Sequence, residues 1–133
     1  MIKVLTNGCF DVIHPGHLNM LKHCASLGDH LLVCIDADQR VKKLKGKNRP
    51  INSEDVRKFI LLNFKWVNDV VIFNSDEELT EMVRCYDPDY MVVGSDYKNK
   101  KVIGSEHAKK LIFFEKTNEH STTKTIENII NRR

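Results

Sequence analysis

The stretch GCFDVIHPGH, residues 8–17, contains two histidines three positions apart and follows the short apolar run IKVL. Pro15 suits the first turn of a helix, because proline lacks an N–H group that would have no helical partner there. Gly16 has no Cβ, so a ligand can approach its backbone closely. The stretch therefore predicts a strand that leads through a turn into a helix, with His14 and His17 at the helix start.

Beyond this stretch, short apolar runs alternate with helical segments along the chain. The runs that are predicted as strands are Ile2–Asn7, His30–Asp36, Asp69–Phe73, Tyr90–Ser95 and Leu111–Glu115. Their nearly continuous Val, Ile, Leu and Phe content suits strands that are buried on both faces of a parallel sheet. The alternation predicts an α/β fold in which a doubly wound, parallel, five-stranded sheet has helices on both faces.

Four helices are predicted between and after these strands, and two of them show an apolar face. The first, residues 17–28, is expected to end at Gly28, and the second, residues 51–64, to have Ser53 as its N-cap. The other two are expected at residues 76–86 and 122–133. The residues expected to face the core are Leu18, Leu21 and Ala25 in the first helix and Val56, Ile60 and Phe64 in the second.

Length and composition indicate one globular domain over residues 1–133, with 41% hydrophobic and 29% charged residues. The net charge of +3 is too small to indicate a nucleic-acid-binding protein, and no run approaches the roughly 18 apolar residues of a membrane span. Neither nucleic acid nor membrane is therefore expected as a partner. The basic run over residues 40–49 is typical of a solvated surface loop, unless it faces a polyanionic ligand.

The cysteines and the N-terminal segment bear on the location of the protein. Cys9, Cys24, Cys34 and Cys85 form neither a CxxC pair nor a regular framework, which is typical of a reducing compartment. The segment MIKVLTNGCF is too short and too polar for a signal peptide. A cytoplasmic location is expected.

The two histidines allow three interpretations at the carboxyl edge of the sheet, where ligands of doubly wound folds bind. A helix start presents free N–H groups and the positive end of the helix dipole, so His14 and His17 can both donate hydrogen bonds to one anion such as a phosphate. Alternatively, both histidines are structural. A metal pair is the third interpretation, although the other histidines offer no third ligand at a recognisable spacing.

Four segments together resemble the cytidylyltransferase-like nucleotidyltransferases, a family with a Rossmann-like α/β fold and an HxGH motif. They are GCFDVIHPGH, LKGKNRPINSEDVR, VVGSDYKNKKVIGSE and HSTTKTI, and they cover most of the chain in the family's order. Within the family, the chain is most similar to the adenylyltransferases that join AMP to a heptose 1-phosphate. The glycerol-3-phosphate cytidylyltransferases are next, although these usually have Thr where this chain has Cys9.

The resemblance implies that a nucleoside monophosphate, preferably AMP, is transferred from a triphosphate to a sugar 1-phosphate, with release of pyrophosphate. The product would be an activated sugar for a surface polysaccharide. Because the attacking phosphate is already an anion, such catalysis relies on positioning and electrostatic stabilisation. Transfer of CMP to glycerol phosphate is the main alternative, and a nucleotide-binding protein without turnover is the alternative of another class.

The same resemblance implies the roles of the basic residues. His14 and His17 contact the α- and β-phosphates, and Lys45 reaches the phosphates from a mobile loop. Lys42 is the alternate lysine in this run, as a substrate contact. Arg57 either pairs with a phosphate or forms a surface ion pair on its helix.

Further positions complete the implied site. Asp11 either contacts the substrate or orients the turn, and magnesium is expected to arrive with the triphosphate, since the sequence shows no carboxylate cluster for a metal cage. A homodimer is expected, because dimers are common in the family. The nucleotide-binding positions implied are Gly8, Cys9, Phe10, Gly16, Gly94, Asp96, Ser121, Thr122 and Thr123.

Overall fold

The computed structural model describes residues 1–115 and 122–131, and it contains one parallel sheet of five strands. The strands are β1 (Lys3–Gly8), β2 (His30–Asp36), β3 (Asp69–Phe73), β4 (Tyr90–Gly94) and β5 (Lys110–Phe114). Each lies within one residue of its predicted bounds. The strand order is β3-β2-β1-β4-β5, so the order changes direction between β1 and β4. The predicted doubly wound α/β fold is confirmed.

Five helices connect and follow the strands. They are α1 (Pro15–Leu27), α2 (Asp38–Lys45), α3 (Glu54–Leu62), α4 (Asp76–Tyr86) and α5 (Thr122–Asn131), with short 3₁₀ turns at Ser95–Tyr97 and Ser105–His107. Within the described residues, no helix is long and apolar enough to cross a membrane.

Each face of the sheet has its own apolar core, because successive side chains of a strand point to opposite faces. On one face, Val33 and Ile35 of β2 pack with residues of α1 and α3. On the other face, Leu32 and Cys34 of β2 pack with residues of α4. In the described part of the chain, helices therefore cover both faces of the sheet and leave the strand ends open for a ligand.

Helix α2 corrects the prediction of a loop over the basic run. Val41 is buried and anchors the helix, while Lys42, Lys43 and Lys45 occupy its last turn, where cations interact favourably with the helix dipole. Gly46 ends the helix with a φ of 105°, which a glycine adopts without strain. The sequence did not predict this helix, because most of its eight residues are charged and Val41 is its single buried residue.

The predicted apolar face of α3 is confirmed in part, because Phe64 packs against the core and Ile60 is half-buried. Val56 is 45% exposed, whereas Arg57 and Leu61 are the buried residues of this helix. The sequence pattern predicted that apolar residues of α3 face the core, but the buried residue of this helix that lies next to the site is Arg57. In α1, Leu21 is buried as predicted, while Leu18 and Ala25 are half-buried and Met20 and Cys24 complete the core face.

Gly28 follows α1 as predicted, but for a different reason. Its backbone is extended, with φ −162°, and not left-handed. A Cβ at this position would lie 2.7 Å from the carbonyl oxygen of Ile2 and 2.9 Å from the side chain of Val4. Gly28 is therefore required by the close approach of β1 to the end of the helix.

Candidate active site

A cavity of about 370 Å³ opens at the carboxyl edge of the sheet, beside the ends of β1, β2 and β4. It includes the point between β1 and β4 at which the strand order changes direction, where ligands of such sheets bind. Eight of the predicted site residues line this cavity: Gly8, Cys9, Phe10, His14, Gly16, His17, Lys45 and Gly94.

The other predicted site residues lie elsewhere. Lys42 and Asp96 are exposed and do not line the cavity. Ser121 lies outside the described residues, as do the side chains of Thr122 and Thr123, whose backbone begins α5. The implied contacts of these three hydroxyls remain predictions.

The turn between β1 and α1 has an unusual backbone conformation. Phe10 (φ 52°) and Val12 (φ 50°) both lie in the left-handed region, which residues with a Cβ rarely adopt. Asp11 is buried between them, and its carboxylate accepts hydrogen bonds from the N–H groups of Ile51 (2.7 Å) and Asn52 (2.9 Å). These bonds tie the turn to the segment before α3. Asp11 is outside the cavity lining, so the structure supports its orienting role over a substrate contact.

His14 and His17 cap the start of α1 with their own side chains. The Nδ1 atom of His14 accepts a hydrogen bond from the N–H of Gly16 (3.1 Å), and the Nδ1 atom of His17 accepts one from the N–H of His14 (3.2 Å). The ring centroids are 3.8 Å apart and the planes are inclined by 30°. The reciprocal bonds form a capping box in which histidines replace the usual Ser and Glu.

These bonds determine which nitrogen of each neutral ring carries the proton. Since each Nδ1 accepts a backbone N–H, the proton of a neutral imidazole lies on Nε2, which then is a donor. The N–H of Gly16 is already bonded to His14 and is not free for an anion, which corrects the expectation of a bare helix N-terminus. When the rings are neutral, the donor of each imidazole is therefore its Nε2–H group and not its Nδ1 atom.

Arg57 supports the site from beneath. Its guanidinium donates to the carbonyl oxygens of Cys9 (2.9 Å) and Asp36 (2.7 Å), and to a carboxylate oxygen of Asp38 (2.8 Å). Its Nε donates to the carbonyl oxygen of Asn52 at 3.0 Å. Arg57 is 1% exposed and does not line the cavity. It joins the ends of β1 and β2 to the start of α3, its ion pair is with Asp38 and is buried on the arginine side, and the phosphate contact stays a prediction.

Comparison with known proteins places this geometry in a family. A family model described as cytidylyltransferase-like matches residues 5–128. The chain belongs to the cytidylyltransferase-like family. This confirms the resemblance carried by the four sequence segments. Residues 5–128 include the turn, the histidine pair, strands β2 to β5 and all of β1 except its first two residues.

Curated relatives of this cytidylyltransferase-like chain carry the name bifunctional protein HldE. Those of Helicobacter hepaticus and Helicobacter pylori strain P12 are each 44% identical to it over 126 residues. One from Campylobacter jejuni subsp. doylei is also 44% identical. The matches cover 95% of this chain and 26% to 27% of the relatives, so the chain spans about a quarter of the length of the curated relatives it matches.

Two solved structures share the fold of this family member. A lipopolysaccharide core biosynthesis protein from Thermoplasma volcanium superposes with a TM-score of 0.73 at 24% identity, covering 89% of this chain and 99% of the other. A protein of unknown function from Archaeoglobus fulgidus gives 0.66 at 17% identity, covering 91% and 94%. At these identities the likeness establishes the fold alone.

Cys9 of this cytidylyltransferase-like domain is held as a thiol. Burial raises the pKa of its side chain, an effect that the positive charges of Lys45 and Arg57 oppose without reversing it. A neutral thiol is a weak nucleophile, because the thiolate is the reactive form. The side chain therefore contributes a neutral group to the wall of the cavity.

Asp36 and Arg40 form a second charged wall that the sequence analysis did not identify. Arg40 donates from Nε to Asp36 Oδ1 (2.8 Å) and from Nη2 to Asp76 Oδ1 (2.7 Å), and its guanidinium lies 5.1 Å from the ring centroid of Phe73. Burial would lower the pKa of Arg40, but the hydrogen bonds with Asp76 and Asp36 outweigh it and the pKa is raised. The sequence signal was the spacing of four residues between the opposite charges of Asp36, at the end of β2, and Arg40, on α2.

Proposed function

We propose that residues 1–133 form a nucleotidyltransferase domain that transfers AMP from ATP to a sugar 1-phosphate and releases pyrophosphate. The product is an activated sugar for a surface polysaccharide. The observation that carries the proposal is the histidine pair, with both Nδ1 atoms bonded to backbone, in a cavity that Lys45 also lines. The 44% identity with relatives named HldE supports it, as does membership of the cytidylyltransferase-like family.

The proposed chemistry needs no acid or base at the nucleophile. An oxygen of the acceptor phosphate attacks the α-phosphorus of the triphosphate, and a new P–O bond forms while the bond to the β-phosphate oxygen breaks. The Nε2–H groups of His14 and His17 donate to oxygens of the α- and β-phosphates, where negative charge grows in the transition state. Lys45 adds a positive charge at the same cavity. Such preorganised donors are the main means of catalysing phosphoryl transfer.

The acceptor phosphate approaches the α-phosphorus from the side opposite the leaving pyrophosphate, because attacking and leaving oxygens lie roughly in line. We assign the nucleotide to the crevice between β1 and β4, where the strand order changes and Gly94 lines the cavity. The acceptor then lies on the other side of β1, over the end of β2. Asp36, Arg40 and Leu44 line that part of the cavity.

Magnesium is proposed to enter as the complex with the triphosphate. In the part of the chain that the structure describes, no three His, Cys, Asp or Glu side chains are grouped to hold a metal ion. Phosphate oxygens and water are ordinary ligands of Mg²⁺, which shields the charge of the phosphates when bound. The donors of this chain therefore act on a nucleotide that carries its own counter-ion.

A reducing compartment, the cytoplasm, is the proposed location, and a homodimer is the proposed assembly. Cys9, Cys24, Cys34 and Cys85 are free thiols, which fits a reducing compartment. The outer face of α3 exposes apolar side chains, which fits a second copy of the chain.

The proposal is tested by pyrophosphate release from a matrix of ATP, CTP, GTP and UTP against heptose 1-phosphate, mannose 1-phosphate and glycerol 3-phosphate. Turnover with ATP and heptose 1-phosphate supports the proposal. Turnover with CTP and glycerol 3-phosphate alone replaces it with cytidylyl transfer. Nucleotide binding without pyrophosphate release from any pair shows a binding protein that lacks turnover.

A further inference from the structure

We propose that Asp36 and Arg40 select the acceptor: they bind hydroxyl groups of the sugar and disfavour an acceptor that carries a second anionic group. The inference rests on the proposed nucleotidyl transfer. It assigns a role in specificity to two residues that lie outside the HxGH turn and outside the other segments that carry the family resemblance.

The position of the two residues places them on the acceptor side. Asp36 ends β2, and Arg40 lies one helical turn further along on α2. In the strand order, β2 and β4 flank β1 on opposite sides. A nucleotide in the crevice between β1 and β4, as proposed above, therefore leaves the β2 side of the cavity for the acceptor.

The guanidinium of Arg40 is preorganised for hydrogen bonding. Two carboxylates and an aromatic ring fix its plane, and its side chain is 19% exposed. An arginine has five N–H donors, and the bonds to Asp36 and Asp76 use two of them. Asp36 accepts the bond from Arg40 on Oδ1, and a carboxylate has a second oxygen for another donor. The wall therefore offers donors and an acceptor side by side.

A hydroxyl group matches this wall, because it donates and accepts at once. It can donate to the Asp36 carboxylate while it accepts from Arg40. A phosphate or carboxylate at neutral pH has no proton to donate to Asp36. Neighbouring hydroxyls of a sugar present several such pairs, which makes a polyhydroxyl chain the best match.

The net charge of the cluster formed by Asp36, Arg40 and Asp76 also favours a neutral hydroxyl over an anion. Asp36, Asp76 and Arg40 carry two negative charges and one positive charge, so the cluster is formally −1. The histidine pair and Lys45, which also line the cavity, attract anions. Lys101 also lines the cavity, but it is exposed and forms no ion pair among the described residues. The cavity thus combines basic groups that suit a phosphate with a cluster that suits a neutral group.

The test compares two inhibitors of transfer to heptose 1-phosphate by the full chain, mannose 1-phosphate and mannose 1,6-bisphosphate. The wild type is expected to bind mannose 1-phosphate at least about tenfold more tightly than mannose 1,6-bisphosphate. Charged hydrogen-bonding groups commonly discriminate between ligands by such a factor. Asp36→Asn makes the cluster neutral and should bring the ratio of the two inhibition constants towards one. Arg40→Ala leaves two unpaired carboxylates and should increase the ratio. If the two residues had only a structural role, the two substitutions would not change the ratio of inhibition constants in opposite directions.

The second measurement is the KM of each substrate. Both variants should raise the KM of heptose 1-phosphate by about tenfold or more and leave the KM of ATP within about twofold. The matched control is Arg84→Ala, which removes an arginine paired with Glu81 on the exposed surface of α4. An unchanged acceptor KM in both variants, or an equal rise for ATP, overturns the inference while transfer itself persists. Absence of pyrophosphate release by the wild type with every pair overturns the proposed function instead.

Discussion

The rings of His14 and His17 stack with centroids 3.8 Å apart, and each uses Nδ1 to accept a backbone N–H at the start of α1. The histidines thus have two separable functions in the proposed mechanism, since Nδ1 caps the helix and Nε2 is proposed to contact the phosphates. The side chain of Asn reproduces the acceptor of the N-cap but has no atom at the position of Nε2. Substitution by Asn or by Ala therefore distinguishes the two functions.

The first prediction concerns turnover by these variants. His14→Asn and His14→Ala should both lower kcat by about a hundredfold or more, because both remove a donor to the transition state. Only His14→Ala should also lower the free energy of unfolding, by about 1 kcal/mol, because it removes the cap. Pyrophosphate release and urea denaturation measure the two effects. Near-normal kcat in a folded His14→Asn variant would show that the imidazole does not stabilise the phosphates.

Much of this fold follows from the sequence, because its signals are local. Apolar runs as long as a strand predicted β1 to β5 within one residue, and Pro15 with Gly16 predicted the start of α1. The charged helix α2 could not be predicted in this way. Its stability comes from Val41 packing in the core and from Asp38, which pairs with Arg57. Both contacts are tertiary.

The candidate site likewise contains residues that the sequence predicted and contacts that it could not predict. The motif residues His14 and His17 were predicted and line the cavity. The supporting contacts of Asp11 and Arg57 span 40 and 48 residues of sequence, respectively, and no short motif encodes them. Arg40 was not predicted as a site residue, because its partner Asp76 lies on α4, 36 residues away in the sequence.

The second prediction separates Lys45 from its neighbours in the basic run. Lys45→Ala should weaken binding of ATP or slow transfer by about tenfold, because it removes a charge-assisted contact with phosphate. Lys42→Ala is the matched control, since Lys42 is exposed on the same helix and does not line the cavity. Equal effects of the two substitutions would indicate a general attraction of anions. Tight, salt-dependent binding of duplex DNA by the wild type would argue against a small-molecule site.

The third prediction concerns stability in alkaline solution. Burial raises the pKa of Cys24 and Cys34 from the ordinary value of 9.0 to about 12 in the folded chain. The neutral thiols therefore stabilise the fold fully below pH 9, and this stabilisation is lost as the pH rises towards 12. Each thiol should lower the free energy of unfolding by about 1.4 kcal/mol per pH unit within that window.

Urea denaturation between pH 8 and about pH 10 measures this slope. Up to about pH 10, ionisation of Tyr86 adds little to this slope, because the slope from a buried tyrosine develops above its ordinary pKa. Burial raises the pKa of Tyr86 from 10.0 to about 12. The double variant Cys24→Ala, Cys34→Ala should show a flatter dependence over the same range. An equally steep slope in that variant would assign the alkaline loss to other groups.

The fourth prediction is that α3 mediates a homodimer. Val56, Phe59 and Leu62 are spaced three residues apart and are 45%, 68% and 43% exposed, so one side of the helix is apolar. Phe59→Glu should convert the dimer to a monomer in sedimentation equilibrium, because it places a charge in the interface. Lys58→Glu is the control on the same helix. A monomeric wild type contradicts the dimer, and a dimer that survives Phe59→Glu has its interface elsewhere.

The last prediction is that the site binds ATP in preference to CTP. Adenine and cytosine both present an amino group beside a ring nitrogen acceptor, so backbone groups near Gly94 would pair with either base. Size is then the main difference, and the larger purine gains more contact with the apolar lining that includes Met20 and Val93. Calorimetric titration of the magnesium complexes should give a dissociation constant at least about tenfold lower for ATP, as pockets that sense size commonly achieve. GTP, a purine with a different edge, is the control: GTP binding as tight as ATP would show that size alone decides. A lower constant for CTP would overturn the adenylyl assignment and leave the roles of His14 and His17 intact.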